Sequence, residues 1–489
     1  MTHTNLHPET QNFLAQEQKM LIGGDWTAAS FGTRFDTLDP GTTQVLTTLP
    51  MAGEAEVNQA VRAAQQAFDS EWLAMTQAKR GELIYQLANL MQRDLRILQE
   101  LECLDNGKPI KKAKYDVIGA INHFKYYSGW ATKIEGAHLP VSSPNKLVYT
   151  RREPLGVVGL IVPWNFPLMM AAWKLAPALA CGNTCILKPA EQTPLTALYL
   201  GKLTKEAGFP DGVINVLTGD GQTGSMMSHH PHIAKIGFTG STAVGRKILQ
   251  ASATSNLKKV SLELGGKSPN VIFADADLEK VRQSVLWSSF YNSGQECTLG
   301  SRIYVQEPVM EQVVEALAVD ADGLTIGHGL DNPDLGPVIS ATQLNRIVGF
   351  INQGIQQATL VRGGHQLDRA GYFLEPTIFQ SSSDDHAVTR EEIFGPVVHV
   401  SAFKDFDEAL ARANDTSYGL ASAVWSKDIT TAHRFAHGLK AGTVWINGYD
   451  MFDPAVPFGG YKESGHGREM GKSALELYTQ EKAVWVDLG

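Results

Sequence analysis

From Val157 onward, short unbroken apolar runs alternate with helical stretches, and this alternation restricts the fold more than any other feature of the chain. Val157-Val158-Gly159-Leu160-Ile161-Val162, Thr184-Cys185-Ile186-Leu187, Val213-Ile214-Asn215-Val216 and Ile233-Ala234-Lys235-Ile236-Gly237-Phe238 are all of strand length. Helical spacing fills the intervals near 168–180, 195–207 and 221–229. A strand that is apolar on both faces must be covered on both faces, so the pattern predicts βαβ units around a buried parallel sheet. Lys259-Val260-Ser261-Leu262-Glu263-Leu264 adds a further strand. A second set of strand and helix signals runs from about 270 to 470. It includes Asn270-Val271-Ile272-Phe273, Arg302-Ile303-Tyr304-Val305 and Gly442-Thr443-Val444-Trp445-Ile446. The reading is two α/β domains with a seam near 265–270, as 489 residues exceed one ordinary core.

Ahead of this region, 54–70 and 77–105 carry apolar residues at helical spacing, with Leu83, Leu87, Leu90 and Met91 on one face. The first 20 or so residues are polar and read as a mobile arm. The segment 321–340, rich in Gly, Asp and Pro, reads as a long surface loop.

The bulk numbers exclude several classes. A net charge of −9 with no basic run argues against a nucleic-acid partner. No apolar run reaches the roughly 18 residues of a membrane span. The start, Met1-Thr2-His3-Thr4-Asn5-Leu6, lacks the basic and apolar pattern of a signal peptide. The four cysteines, Cys103, Cys181, Cys185 and Cys297, form no Cys-x-x-Cys pair, which argues against a metal site and fits a reducing compartment. A cytoplasmic location is expected.

Cys297 lies in Phe290-Tyr291-Asn292-Ser293-Gly294-Gln295-Glu296-Cys297-Thr298-Leu299-Gly300, flanked by two glycines after a helix-like run. A thiol presented at a turn is a candidate nucleophile; a small buried hydrophobe is the competing reading. Gly240-Ser241-Thr242-Ala243-Val244-Gly245 follows a strand and opens a helix. It suits either a pyrophosphate cradle or a helix cap. Lys188-Pro189-Ala190-Glu191 follows another strand, where a carboxylate can accept from ribose hydroxyls and repel a 2′-phosphate; a surface loop is the alternative. Asn165, in Pro163-Trp164-Asn165-Phe166-Pro167, either donates to an oxyanion or satisfies its own turn. Glu263, beside Gly265-Gly266-Lys267, is either a base or a surface carboxylate paired with Lys267.

In this order, with Glu391-Glu392-Ile393-Phe394-Gly395-Pro396-Val397 and Pro457-Phe458-Gly459-Gly460-Tyr461-Lys462, these segments resemble the NAD(P)-dependent aldehyde dehydrogenase superfamily in its hydrolytic, non-acylating branch. The resemblance runs from Leu21-Ile22-Gly23-Gly24-Asp25-Trp26 to the C-terminus. It implies that Cys297 is the nucleophile and Glu263 the general base. The Asn165 side chain and the Cys297 N–H would form the oxyanion hole, with Lys174 in support. Trp164, Lys188, Glu191, Gly240, Ser241, Glu392 and Phe394 would hold NAD, with NADP as a secondary cofactor. The implied substrate pocket is Phe166, Met169, Met170, Trp173, Trp287, Tyr291, Met451, Phe452 and Phe458. That aromatic lining suggests an aromatic or arylalkyl aldehyde, as in a phenylacetaldehyde dehydrogenase, with betaine or aliphatic aldehydes as alternatives. A CoA-acylating relative and a non-catalytic binding protein are less well supported, since Glu263, Asn165 and Cys297 are all present. The implied fold is α/β, with a Rossmann-like NAD-binding domain (1–129 and 152–265), a catalytic domain (266–470), and an oligomerisation arm and final strand (130–151 and 471–489). A homodimer or homotetramer is implied. Glu296, beside the thiol, is expected to face away from it.

Overall fold

A computed structural model describes residues 6–489. Two large sheets carry the molecule. The first has eight strands, and its parallel centre follows the apolar runs: Lys259–Glu263, Lys235–Thr239, Val157–Ile161, Thr184–Lys188 and Ile214–Val216, side by side in that order. Met20–Ile22 and Asp25–Thr27 extend one side and Gly465–His466 the other, all antiparallel. The central strands are buried on both faces because helices cover both. The helix Pro167–Ala180 is apolar nearly all round and accordingly buried nearly throughout.

The chain leaves this sheet after Glu263 and enters the second at Pro269–Ile272. That sheet has seven strands and is parallel except for Thr359–Arg362. A third sheet pairs the arm strands His138–Leu139 and Lys146–Pro154 with the C-terminal strand Thr479–Asp487, which lies at its edge. No helix of the described residues is long and apolar enough to cross a membrane.

Two local expectations need correction, one is borne out in two pieces, and one helix went unread. Residues 1–5 of the polar N-terminal segment lie outside the described residues, but Pro8–Ala15 is a helix. Phe13 is buried against Tyr199, and Thr10 Oγ1 donates to Glu100 at 2.6 Å. The stretch 77–105 is two helices, Gln77–Arg93 and Leu95–Asn106, broken at Asp94. A long helix, Ile110–Ser128, went unread because lysines crowd its first turns ahead of the stripe Val117, Ala120, Ile121 and Phe124. The 321–340 segment is mostly loop, but its end is not surface: Leu335 and Val338 are buried, and the segment braces the candidate nucleophile.

Candidate active site

From Val157–Ile161 the chain steps outward through Thr184–Lys188 to Ile214–Val216, then returns with Lys235–Thr239 on the other side of its starting strand. Ligand crevices open at the carboxyl ends of strands at such a reversal. A cavity of about 690 Å³ opens here, walled by Trp164, Asn165, Thr239, Gly240, Ser241 and Glu263 from the first sheet. Cys297 enters the same cavity from the other half of the molecule.

The helix Leu278–Phe290 delivers the chain to the thiol and stops abruptly. Asn292 and Ser293 both adopt left-handed backbone, at φ 48° and 55°, a conformation that side-chain-bearing residues hold only when their surroundings force it. Gly294 is also left-handed, and a Cβ there would stand 2.0 Å from the Gly395 carbonyl oxygen, so the turn requires glycine. The surroundings supply the force. Ser293 Oγ donates to Gly336 O at 2.8 Å, and Gln295 Oε1 accepts from Ile339 N–H at 2.8 Å. Cys297 is half-buried, whereas Cys103, Cys181 and Cys185 are buried. Burial pushes its thiol well above the ordinary range, and the carboxyls of Glu296, Glu392 and Glu263 push it further.

Asn165 faces this turn. Its side-chain Nδ2 donates to the Gln295 carbonyl at 3.1 Å. One amide hydrogen is spent on orientation, which leaves the second for a reacting oxygen. The Asn165 side chain thus bonds across the interface between the two halves.

Glu263 ends its strand buried, and neither carboxyl oxygen has a protein partner. The surface ion pair with Lys267 is therefore excluded: burial pushes the Glu263 carboxyl well above its usual range, reinforced by Glu469 and opposed by Lys174 and Arg468. A carboxyl whose hydrogen-bonding capacity is unused is available to water or substrate. The Gly265-Gly266 pair permits close approach from the other half, since a Cβ on Gly266 would meet the Cys297 carbonyl oxygen at 2.5 Å. Lys174 does not reach the cavity. It is buried beneath it, paired with Glu469 and donating to Thr239 Oγ1 at 2.7 Å.

One end of the cavity is polar and fits a dinucleotide. Ser241 caps the helix Thr242–Thr254, accepting from Val244 N–H, and still lines the cavity beside Gly240. The cap and the anion cradle are thus one feature, since a helix N-terminus presents N–H groups to phosphate. Glu392 accepts from Gly266 N–H at 3.0 Å, and burial raises its carboxyl to about 7. Trp164 meets Phe394 edge-on at 5.2 Å. Gln343 and Arg346, which the sequence did not single out, complete this wall. Lys188 and Glu191 lie one strand further along the sheet edge, outside the cavity lining; Lys188 is buried and donates to Pro189 O at 2.9 Å.

The other end is aromatic. Phe166, Met169, Met170, Trp173, Trp287, Tyr291, Phe452 and Phe458 all line it. Phe166 stacks on Tyr291 at 6.3 Å, and Trp173 meets Phe458 at 5.3 Å. Met451 is a correction: it is 60% exposed and lies outside the lining. Acidic groups that sequence reasoning missed share the wall, namely Asp116 and Asp450, together with Lys112, whose ammonium lies 4.0 Å from the Trp287 ring. Glu296 is buried and lines the cavity beside Cys297 and Asp450.

The aldehyde dehydrogenase family model matches residues 26–484. The structure of an aldehyde dehydrogenase from Bacillus cereus in complex with NAD+ superposes with a TM-score of 0.98 at 47% identity, covering 99% of each chain. Betaine aldehyde dehydrogenase from Staphylococcus aureus in complex with NAD+ superposes at 0.96 with 37% identity, covering 98% of this chain and 97% of its own. Retinal dehydrogenase 2 from Homo sapiens is 46% identical over 485 residues, 98% of this chain and 93% of its own. With a match over nearly its whole length and relatives at this identity, the chain belongs to the aldehyde dehydrogenase family.

Proposed function

We propose that the protein oxidises an aromatic or arylalkyl aldehyde to its carboxylic acid, using NAD and water. The observation that carries this is the meeting of Cys297, Asn165 and Glu263 on one cavity, between a polar end and an aromatic end. The Cys297 thiolate adds to the aldehyde carbon to give a thiohemiacetal. The Asn165 amide and the Cys297 N–H stabilise its oxyanion, each such donor being worth about 3 kcal/mol. NAD held beside Glu392 and Trp164 would supply the hydride acceptor needed to oxidise the thiohemiacetal to a thioester. Glu263 takes a proton from water, the resulting hydroxide attacks the thioester carbon, and the carbon–sulfur bond breaks to release the acid and restore the Cys297 thiolate.

Gly240, Ser241 and the helix N-terminus behind them would hold the pyrophosphate, Glu392 the nicotinamide ribose, Lys188 and Glu191 the adenosine ribose, and Trp164 and Phe394 the cleft wall. The Glu191 carboxylate favours NAD over NADP, since it would repel a 2′-phosphate. Aromatic faces from Phe166, Trp173, Tyr291 and Phe458 favour an aromatic ring. Asp116, Glu296 and Asp450 on the same wall favour a second reading, a cationic aldehyde. Comparing kcat/KM for phenylacetaldehyde, betaine aldehyde and hexanal separates these; a preference for either of the last two overturns the aromatic assignment. The edge strand Thr479–Asp487, with Trp485 60% exposed, supports assembly into a dimer or tetramer through strand pairing.

A further inference from the structure

The helix Leu95–Asn106 ends at Gly107, and the turn there sends Asn106 and Lys108 to one spot, the backbone of Trp164 and Asn165. The Asn165 main-chain carbonyl accepts from Lys108 Nζ at 2.8 Å, from Asn292 Nδ2 at 3.1 Å and from Asn106 Nδ2 at 3.3 Å. Asn106 Nδ2 also donates to Trp164 O at 2.7 Å, and Asn292 Nδ2 to Gln295 O at 3.3 Å. A carbonyl oxygen has two lone pairs, so three donors saturate it and leave the peptide no freedom to turn.

Lys108 is the charged member of this cage and is itself fixed. Its side chain is buried, and its three N–H groups meet three acceptors: Asp116, Glu102 and the Asn165 carbonyl. Burial alone would discharge the ammonium, but Asp116 and Glu102 outweigh it and hold the group above its usual range. The Phe166 ring centre lies 4.4 Å from Nζ, closing the remaining side with a cation–π contact. Glu102 in turn accepts from Leu168 N–H at the start of the helix that follows Asn165. A charged donor makes a stronger hydrogen bond than a neutral one, so Lys108 dominates the cage.

We propose that Lys108 is the positioning residue of the oxyanion site: by clamping the Asn165 carbonyl, with Asn106 and Asn292, it fixes where the Asn165 amide donor points. This rests on the reading of Asn165 as that donor. The Asn165 backbone is held on one side and its amide is tied to Gln295 on the other, so the second amide hydrogen has one direction left. A shift of about 1 Å in such a donor can cost a hundredfold in rate.

The test is a set of variants in the full-length protein: Lys108→Met, Asn106→Ala, Asn165→Ala, and each of the first two combined with Asn165→Ala. The expected result is a fall in kcat of about 10- to 100-fold for Lys108→Met, with aldehyde KM and NAD affinity changed less than about twofold. Adding it to Asn165→Ala should bring no further loss, because the donor it positions is already gone. Asn106→Ala leaves no buried charge unpaired and carries the same test, with a smaller expected fall, if Lys108→Met does not fold. Unchanged kcat, parallel losses of kcat and NAD affinity, or losses that multiply in full with Asn165→Ala would overturn the proposal. Full activity in Asn165→Ala alone would instead overturn the reading of Asn165 on which it rests.

Discussion

Glu296 and Asp450 share the wall of the cavity into which Cys297 opens. Neighbouring carboxyls oppose one another's ionisation, and burial raises both, Asp450 to about 7. After burial itself, Glu296 is the largest influence holding the Cys297 thiol in its protonated form. Where Glu296 is ionised its charge opposes the thiolate, so removing it lowers the thiol's pKa over that pH range. Glu296→Gln should therefore move the pH profile of iodoacetamide inactivation to lower pH, with a severalfold faster rate on its rising limb. An unmoved or alkaline-shifted profile would show that Glu296 does not act on the thiol.

Glu263 has its carboxyl pushed up by burial and then by Glu469. Its base form is the one that activates water, so thioester hydrolysis should rise with pH through the Glu263 pKa, above the usual carboxylate range. Glu469→Gln removes the repelling charge and leaves the Lys174 cation to pull the Glu263 pKa down. The rising limb of kcat should then shift to lower pH, provided hydrolysis limits turnover, as single-turnover kinetics would establish. A shift to higher pH would contradict the coupling.

Lys235 is buried, donates to Ser261 Oγ at 2.7 Å, and is pushed down to about 7 by burial. Because its unfolded pKa is about 10.4, folding must strip its proton between those values, which costs stability below the unfolded pKa. That cost is full below about 7 and vanishes as pH rises toward 10. Lys235→Met should raise Tm by a few degrees at pH 7, with a gain that shrinks steadily toward pH 10. A gain independent of pH would point to packing, and a lower Tm at pH 7 would contradict the account.

Trp485 is exposed on the edge strand Thr479–Asp487. A lysine on such an edge discourages pairing with another chain. Trp485→Lys should reduce the assembled mass measured by sedimentation at micromolar concentration, while the folded monomer keeps its Tm to within a few degrees. An unchanged mass would place the subunit interface elsewhere.

The parts of this protein that were legible in the sequence are those whose chemistry is local. Val157–Ile161 and Lys235–Thr239 could be read as buried strands because their own residues are apolar on both faces. Asn165, Glu263 and Cys297 stand next to the prolines, aromatics or glycines that shape their backbones, and the structure brings them to one cavity. Lys108 and Glu469 were not legible, because their partners Asn165 and Lys174 lie 57 and 295 positions away. In sequence each looks like a surface charge, and only folding shows it buried. Met451 failed for the opposite reason: its neighbour Phe452 lines the cavity, but the chain turns at Asp450, and Met451 points to solvent while its carbonyl accepts from Trp445 Nε1.

The central claim is that the Cys297 thiol carries the acyl group and Glu263 releases it. Intact-mass and peptide analysis of Glu263→Gln, quenched in acid after mixing with NAD and phenylacetaldehyde, tests it most directly. The account predicts one phenylacetyl group per subunit, on the peptide containing Cys297, formed with one equivalent of NADH and absent from Cys297→Ala. NADH formation with no adduct on Cys297, or ordinary turnover by Cys297→Ala, would contradict it.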